Sequence, residues 1–179
     1  MTTFLDHCRL MARYNTWMNA KVYDTAAKLP AGELTADRGA FFKSVIGTLN
    51  HLAVTDIMWL QRLRALDKAE PALTDVLSIT PPKTLDQILS LDLGELRLLR
   101  ERLDAAIEAY VGGLDAADFD VLVTFTRANG ETQKKSLGSI FSHLFNHQTH
   151  HRGQITTLFS QAGLDVGVTD VNALTPNLI

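Results

Sequence analysis

Four of the six histidines in this chain stand at positions 143, 147, 150 and 151, and the other two are His7 and His51. Imidazoles one helical turn apart can share a metal ion, since both ring nitrogens then reach the same point beside the helix. The spacing alone offers His143 with His147, His147 with His151, and His147 with His150. The surrounding apolar residues choose among these pairs. At about 100° per residue, Leu137, Ile140, Leu144, Ile155, Leu158 and Ala162 all lie within roughly 40° of His151. His147 falls inside that arc, whereas His143 and His150 lie about 80° and 100° away, on its flank. His147 and His151 therefore point into the protein together.

Two imidazoles side by side in an apolar face need partners, because an unpaired buried polar group costs stability. A divalent metal satisfies both at once, and zinc, nickel and ferrous iron all accept imidazole nitrogen. The plainer alternative is that the rings bond to neighbouring groups, or that their spacing is accidental. His51 stands in the middle of another long helix-forming stretch and is the candidate third ligand. Ser44, Gly47, Thr48, Thr55 and Met58 lie around its angular position, a strip that leaves volume for a cavity. Against this, His51 could simply meet a backbone carbonyl. Gln154, one turn beyond His151, and Tyr14 are candidates for supporting or catalytic roles. Tyr14 fits equally well as a core tyrosine. Asp56 is about 140° around the helix from His51 and suits an anchor to another helix through an arginine. Arg152 suits fold or dimer contacts, and His7 a surface position.

Four long helices have to position these side chains. Leu10, Tyr14, Trp17, Met18 and Val22 recur at three- and four-residue spacing, which predicts a helix from about Thr3 to Lys28, ended by Leu29-Pro30-Ala31-Gly32. A second helix is expected from about Phe41 to Leu66, and Glu70-Pro71 breaks it. Thr84 is the expected cap of a third running to about Val111, with Leu85, Ile88, Leu89, Leu96, Leu99 and Leu103 inward. Asp120 to Thr126 is β-branched and aromatic. With Asn129-Gly130 and the polar run to Lys135 it predicts a hairpin. The fourth helix is expected from about Leu137 to Ala162, before Gly163. The fold class is thus all-α: a four-helix bundle with a short β-hairpin between helices three and four, one domain over residues 1–179.

Composition sets outer limits. The net charge of −3 shows no cluster of Lys or Arg, which speaks against a nucleic-acid partner. Cys8 is the single cysteine, so neither an intrachain disulfide nor a thiolate cluster can form. Nothing resembles a signal peptide or approaches the roughly 20 apolar residues of a membrane span, so the expected location is cytoplasmic with no membrane partner.

Ordered motifs add a resemblance. Ala12-Arg13-Tyr14-Asn15-Thr16-Trp17-Met18-Asn19 looks like the first-helix signature of the DinB family. Asn50-His51-Leu52, followed by Asp56 and Trp59, is similar to its histidine-bearing segment. His147-Gln148-Thr149-His150-His151-Arg152-Gly153-Gln154 matches its terminal motif, and the Asn129-Gly130 turn stands where such proteins carry a hairpin. The resemblance covers nearly the whole chain. It implies one divalent metal ion (Zn, Ni or Fe) held by His51, His147 and His151, with coordination positions open. It further implies a metal-dependent enzyme of thiol S-transferase or isomerase type, which uses a low-molecular-weight thiol on a small electrophilic substrate. A homodimer is implied on the same basis. Two other functions remain open: a non-catalytic metal-binding protein associated with damage and stress, and a metal-dependent hydrolase.

Overall fold

The computed structural model of the chain describes residues 3–66, 68–127 and 129–177. Helix α1 spans Phe4–Ala26 and opens with a capping box, in which Thr3 and Asp6 satisfy each other's backbone N–H groups. Helix α2 spans Val45–Arg62, and the Ser44 hydroxyl accepts from Gly47 N–H at its start. A short helix α3, Thr74–Leu77, interrupts the connection to α4, Leu93–Gly112, which Asp92 caps. Strands β1 (Leu122–Thr126) and β2 (Thr132–Ser136) form an antiparallel hairpin, and α5 follows directly as Leu137–Gln161. Gly130 takes φ +83° in the hairpin loop, where its N–H donates to the Arg127 carbonyl at 2.9 Å. The expected all-α fold with a short hairpin is what the chain adopts.

The four long helices close into a ring of neighbours, α1–α4–α2–α5. Cross-contacts give their directions. Arg9 meets Gly112 and Tyr23 meets Leu96, so α1 and α4 are antiparallel. His51 meets His147 and Trp59 meets His143, so α2 and α5 are antiparallel as well. Asn50 meets Ser90 and Asp56 meets Arg100, which makes α2 and α4 parallel. Parallel neighbours need a crossover along the bundle, and the segment between Arg62 and Leu93 supplies it.

Two helix starts differ from the sequence-based expectation. The second helix begins at Val45 rather than Phe41, since Ser44 caps it and Lys43 sits at φ +67°. The third begins at Leu93, and neither Thr84 nor Leu85 is helical. Leu85 and Ile88, expected inward, are 54% and 47% exposed, whereas Leu96 and Leu103 are fully buried. The cause lies across the bundle. Asn50 Oδ1 accepts from the N–H groups of Leu89 and Ser90 at 2.6 and 3.1 Å, and its amide donates to the Ser90 carbonyl. Backbone groups that a helix would have satisfied internally are held by this side chain instead.

Leu49, Leu52, Ile57 and Leu60 of α2 pack with Leu103 and Ile107 of α4 and with Phe141 and Phe159 of α5 in the core. A polar layer crosses that core with contributions from all four long helices. Asp56 is 2.7 Å from Arg100 Nη1 and accepts from Gln148 Nε2 at 2.6 Å. Asp104 is 3.0 Å from Arg100 Nη2 and accepts from Asn15 and Asn19. Arg152 donates to Asn15 and Gln148. Two carboxylates and two guanidiniums thus balance in the interior, and both Asp56 and Arg152 serve the fold. The arginine contact expected of Asp56 is made by Arg100.

Candidate metal centre

His51 of α2 meets His147 and His151 of α5 at one level of the bundle. Among the described residues these three form the group of His, Cys, Asp or Glu that could hold a metal ion, with one ligand atom from each lying within 4.8 Å of the others. The ring centroids are 5.0 Å apart for His51 and His147, 4.6 Å for His51 and His151, and 4.4 Å for His147 and His151. His51 and His151 are buried and His147 is half-buried. The other histidines stay outside the triad. His7, His143 and His150 are exposed, although His143 flanks His147 with centroids 5.6 Å apart.

Hydrogen bonds fix which nitrogen of His51 and of His151 faces the centre. His51 Nδ1 lies 2.8 Å from the Leu85 carbonyl, which can only accept, so Nδ1 carries the proton and Nε2 presents a lone pair. His151 Nδ1 lies 2.8 Å from Gln154 Oε1, and the Gln154 amide nitrogen is 3.2 Å from His150 Nε2. That orientation makes His151 Nδ1 the donor and again frees Nε2. Such outer partners set the tautomer of metal-ligating imidazoles. Both the carbonyl contact and the inward site expected as rivals for His51 are present, one on each ring nitrogen.

The centre itself then has a definite chemistry. His51 Nε2 and His147 Nε2 are 3.1 Å apart. With the His51 Nε2 lone pair facing inward, His147 donates its Nε2–H across that contact, and a cation in the centre would take the place of this proton. Tetrahedral ligands at about 2.0–2.1 Å from one ion stand about 3.3 Å from each other, which this spacing nearly matches. The rings are also held neutral. Burial, and then the neighbouring imidazoles, push His147 down from 6.5 to about 3. Burial likewise lowers His51 and His151, outweighing their bonds to Leu85 and Gln154. Neutral imidazoles are what a divalent ion requires, and two of the three already present Nε2 lone pairs inward.

Several supporting residues escaped the sequence. Phe42 stacks on His51 with centroids 3.7 Å apart and planes 18° from parallel, and its edge meets His151 at 5.5 Å. Gly47 makes that seat possible, because a Cβ there would lie 2.2 Å from the Phe42 carbonyl oxygen. Of the small residues placed around His51, Thr55 and Met58 line a cavity beside the triad. Ser44, Gly47 and Thr48 instead build the start of α2, where Thr48 Oγ1 donates to the Ser44 carbonyl. Tyr14 is engaged away from the histidines, its hydroxyl donating to the Thr169 carbonyl at 2.6 Å and its ring lying against Arg152. Cys8 is fully buried, and burial pushes its thiol up to about 12, so it is no nucleophile. No helix among the described residues is long and apolar enough to cross a membrane.

Comparison with known proteins bears on the family of the chain rather than on the site itself. "Protein DinB" of Bacillus subtilis (strain 168) is 24% identical to this chain over 158 residues, covering 88% of the chain and 87% of the relative. No solved structure matches the chain at a significant level. The model of the DinB family matches residues 1–176, from before the first helix to beyond the last histidine, and the chain belongs to that family.

Proposed function

We propose that His51, His147 and His151 hold one divalent metal ion and that the protein is a metal-dependent enzyme using a low-molecular-weight thiol on a small electrophile. The observation that carries this reading is the convergence of three neutral imidazoles, two of them with tautomers fixed from outside, with His51 and His147 lining an open cavity of about 800 Å³. Three protein ligands leave positions free, as in catalytic rather than structural sites. A divalent ion held there supplies Lewis acidity, which favours a thiol as its thiolate.

The chain's own groups do the rest. Leu85 and Gln154 keep the two outer rings in place, and Phe42 shields one face of His51 from water. The cavity lining contains no Asp or Glu among the described residues. A thiol brings its own nucleophile and needs no carboxylate there. Residues 1–179 act as a single domain of cytoplasmic location in this reading.

Elemental analysis of untagged protein tests the first step. The expected result is about one metal per chain, lost in a His147→Ala/His151→Ala variant. Cobalt-loaded protein tests the second, because thiolate ligation adds a charge-transfer band that alcohols do not. Metal-free protein after reconstitution with zinc, nickel and iron would overturn the metal reading. A cobalt spectrum indifferent to thiols would overturn the thiol chemistry alone.

A further inference from the structure

The cavity beside the triad has two distinct kinds of lining residue. Met58, Trp59, Phe125 and Ile140 are apolar, and His51 and His147 line the same cavity. Arg62, Lys83, Arg127 and Lys135 are cationic, and they come from four separate places: the end of α2, the crossover before α4, the residue after β1, and β2. Glu131 pairs with Arg127 at 3.3 Å, but no ion pair engages Arg62, Lys83 or Lys135 among the described residues. The positive charge of the cavity is therefore left largely unbalanced.

Arg62 is the most constrained of these cations. Its guanidinium lies over the Trp59 ring at 4.3 Å and over the Phe125 ring at 4.5 Å. Two aromatic faces hold it as a planar fork without using its N–H donors, and no hydrogen bond from it occurs among the described residues. Burial and the like charge of Arg127 both work against its charge, so an anion in the cavity would relieve a cost already present. A guanidinium fixed in orientation with free donors is suited to bidentate recognition of a carboxylate or phosphate.

We infer that this cavity is a subsite for an organic anion, a small molecule whose carboxylate or phosphate pairs with Arg62 and whose apolar body lies along Trp59 and Phe125 toward the histidines. The size is that of a small-molecule site rather than a nucleic-acid surface. The inference rests on the metal-dependent reaction proposed above for what becomes of the bound molecule, and it names the class of molecule presented there. The hairpin acquires a role by it: β1, β2 and the loop between them bring Phe125, Arg127 and Lys135 to the cavity, supplying lining that the helices alone do not.

Titration calorimetry with benzoate, phenyl phosphate, inorganic phosphate and the neutral benzyl alcohol tests this, on chelator-treated and on metal-loaded protein. The expected result is that benzoate or phenyl phosphate binds the chelator-treated protein more tightly than benzyl alcohol does. The tighter of the two names the headgroup, and inorganic phosphate binds more weakly than either. Arg62→Met should weaken the preferred anion by roughly ten- to a hundredfold and leave benzyl alcohol unchanged. Arg64→Met, at an exposed arginine bonded to the Leu77 carbonyl, should change nothing. If Arg62→Met fails to fold, Lys83→Gln/Lys135→Gln decides, with a several-fold loss expected from two exposed positions. Equal binding of benzoate, phenyl phosphate and benzyl alcohol, or wild-type anion affinity in the folded variants, would overturn the subsite. Anion preference in a protein that takes up no metal supports the subsite and removes only the metal reading; metal uptake without anion preference does the reverse.

Discussion

Asp56→Asn isolates the buried polar layer from everything else in the protein. Asp56 and Arg100 are 1% and 2% exposed, and their 2.7 Å contact is an ion pair without the alignment of a hydrogen bond. Burial opposes the charge on Arg100, and Asp104 and Asp56 together outweigh it and keep it charged. Removing one partner of a buried pair costs about 3–5 kcal/mol, because the other charge is left uncompensated. Asp104 remains 3.0 Å from Arg100, so the lower end, about 3 kcal/mol, is expected here. With a urea m-value of about 2–3 kcal/mol/M, the unfolding midpoint should fall by roughly 1–1.5 M. Since whole domains have only about 5–15 kcal/mol, the variant should be fragile yet folded at low temperature. Asp56→Leu/Arg100→Met restores neutrality and should be less destabilised than the sum of its single changes. A midpoint within about 0.3 M of wild type for Asp56→Asn would refute the claim that this layer is held by its charges.

Three further outcomes follow from the site. Gln154→Leu removes the acceptor of His151 Nδ1 and should weaken metal binding by about 10–100-fold in competition with a chromogenic chelator, with stoichiometry unchanged. Gly47→Ala forces a Cβ against the Phe42 carbonyl and should cost about 1–3 kcal/mol, seen as a melting temperature lower by roughly 2–10 °C. The depressed value of His147 fixes the sign of an acid effect on the metal-free protein. Below about pH 6.5 the unfolded chain takes up a proton that the folded triad refuses until about 3, so stability falls as pH falls through that window. The slope per imidazole is at most about 1.4 kcal/mol per pH unit, reduced by the partial solvent access of His147. His147→Leu should flatten the profile of melting temperature against pH, and an unchanged profile would contradict the assignment.

The histidines were legible because their spacing and the apolar residues around them obey one period. Leu144, Ile155 and Leu158 mark the buried face of α5, and His147 and His151 interrupt it. What the sequence did not reveal lies where no period operates. Phe42 and Leu85 touch His51 from non-helical segments, one through a ring face and one through a carbonyl that any residue could offer. The third helix was read about eight residues too early because Thr84, Leu85, Ile88 and Leu89 look like a capped amphipathic turn; the distant Asn50 and His51 side chains make the alternative favourable. The small residues before His51 were misread for a related reason, since helix capping and cavity lining call for the same residue types. The charged lining of the cavity was illegible because its cations are scattered along the chain and meet only in the fold.

Asn50 and His51 are adjacent, yet they grip the same stretch of the crossover from its two ends: one side chain fastens Leu89 and Ser90, the other donates to the carbonyl of Leu85. Anything that holds His51 Nε2 in place therefore also holds the crossover, and the dependence is reciprocal. Occupancy of the centre should then be readable at a distance from it, as slower amide exchange at Leu89 and Ser90, residues that bear no ligand. The crossover serves as a built-in gauge of whether the histidines are engaged.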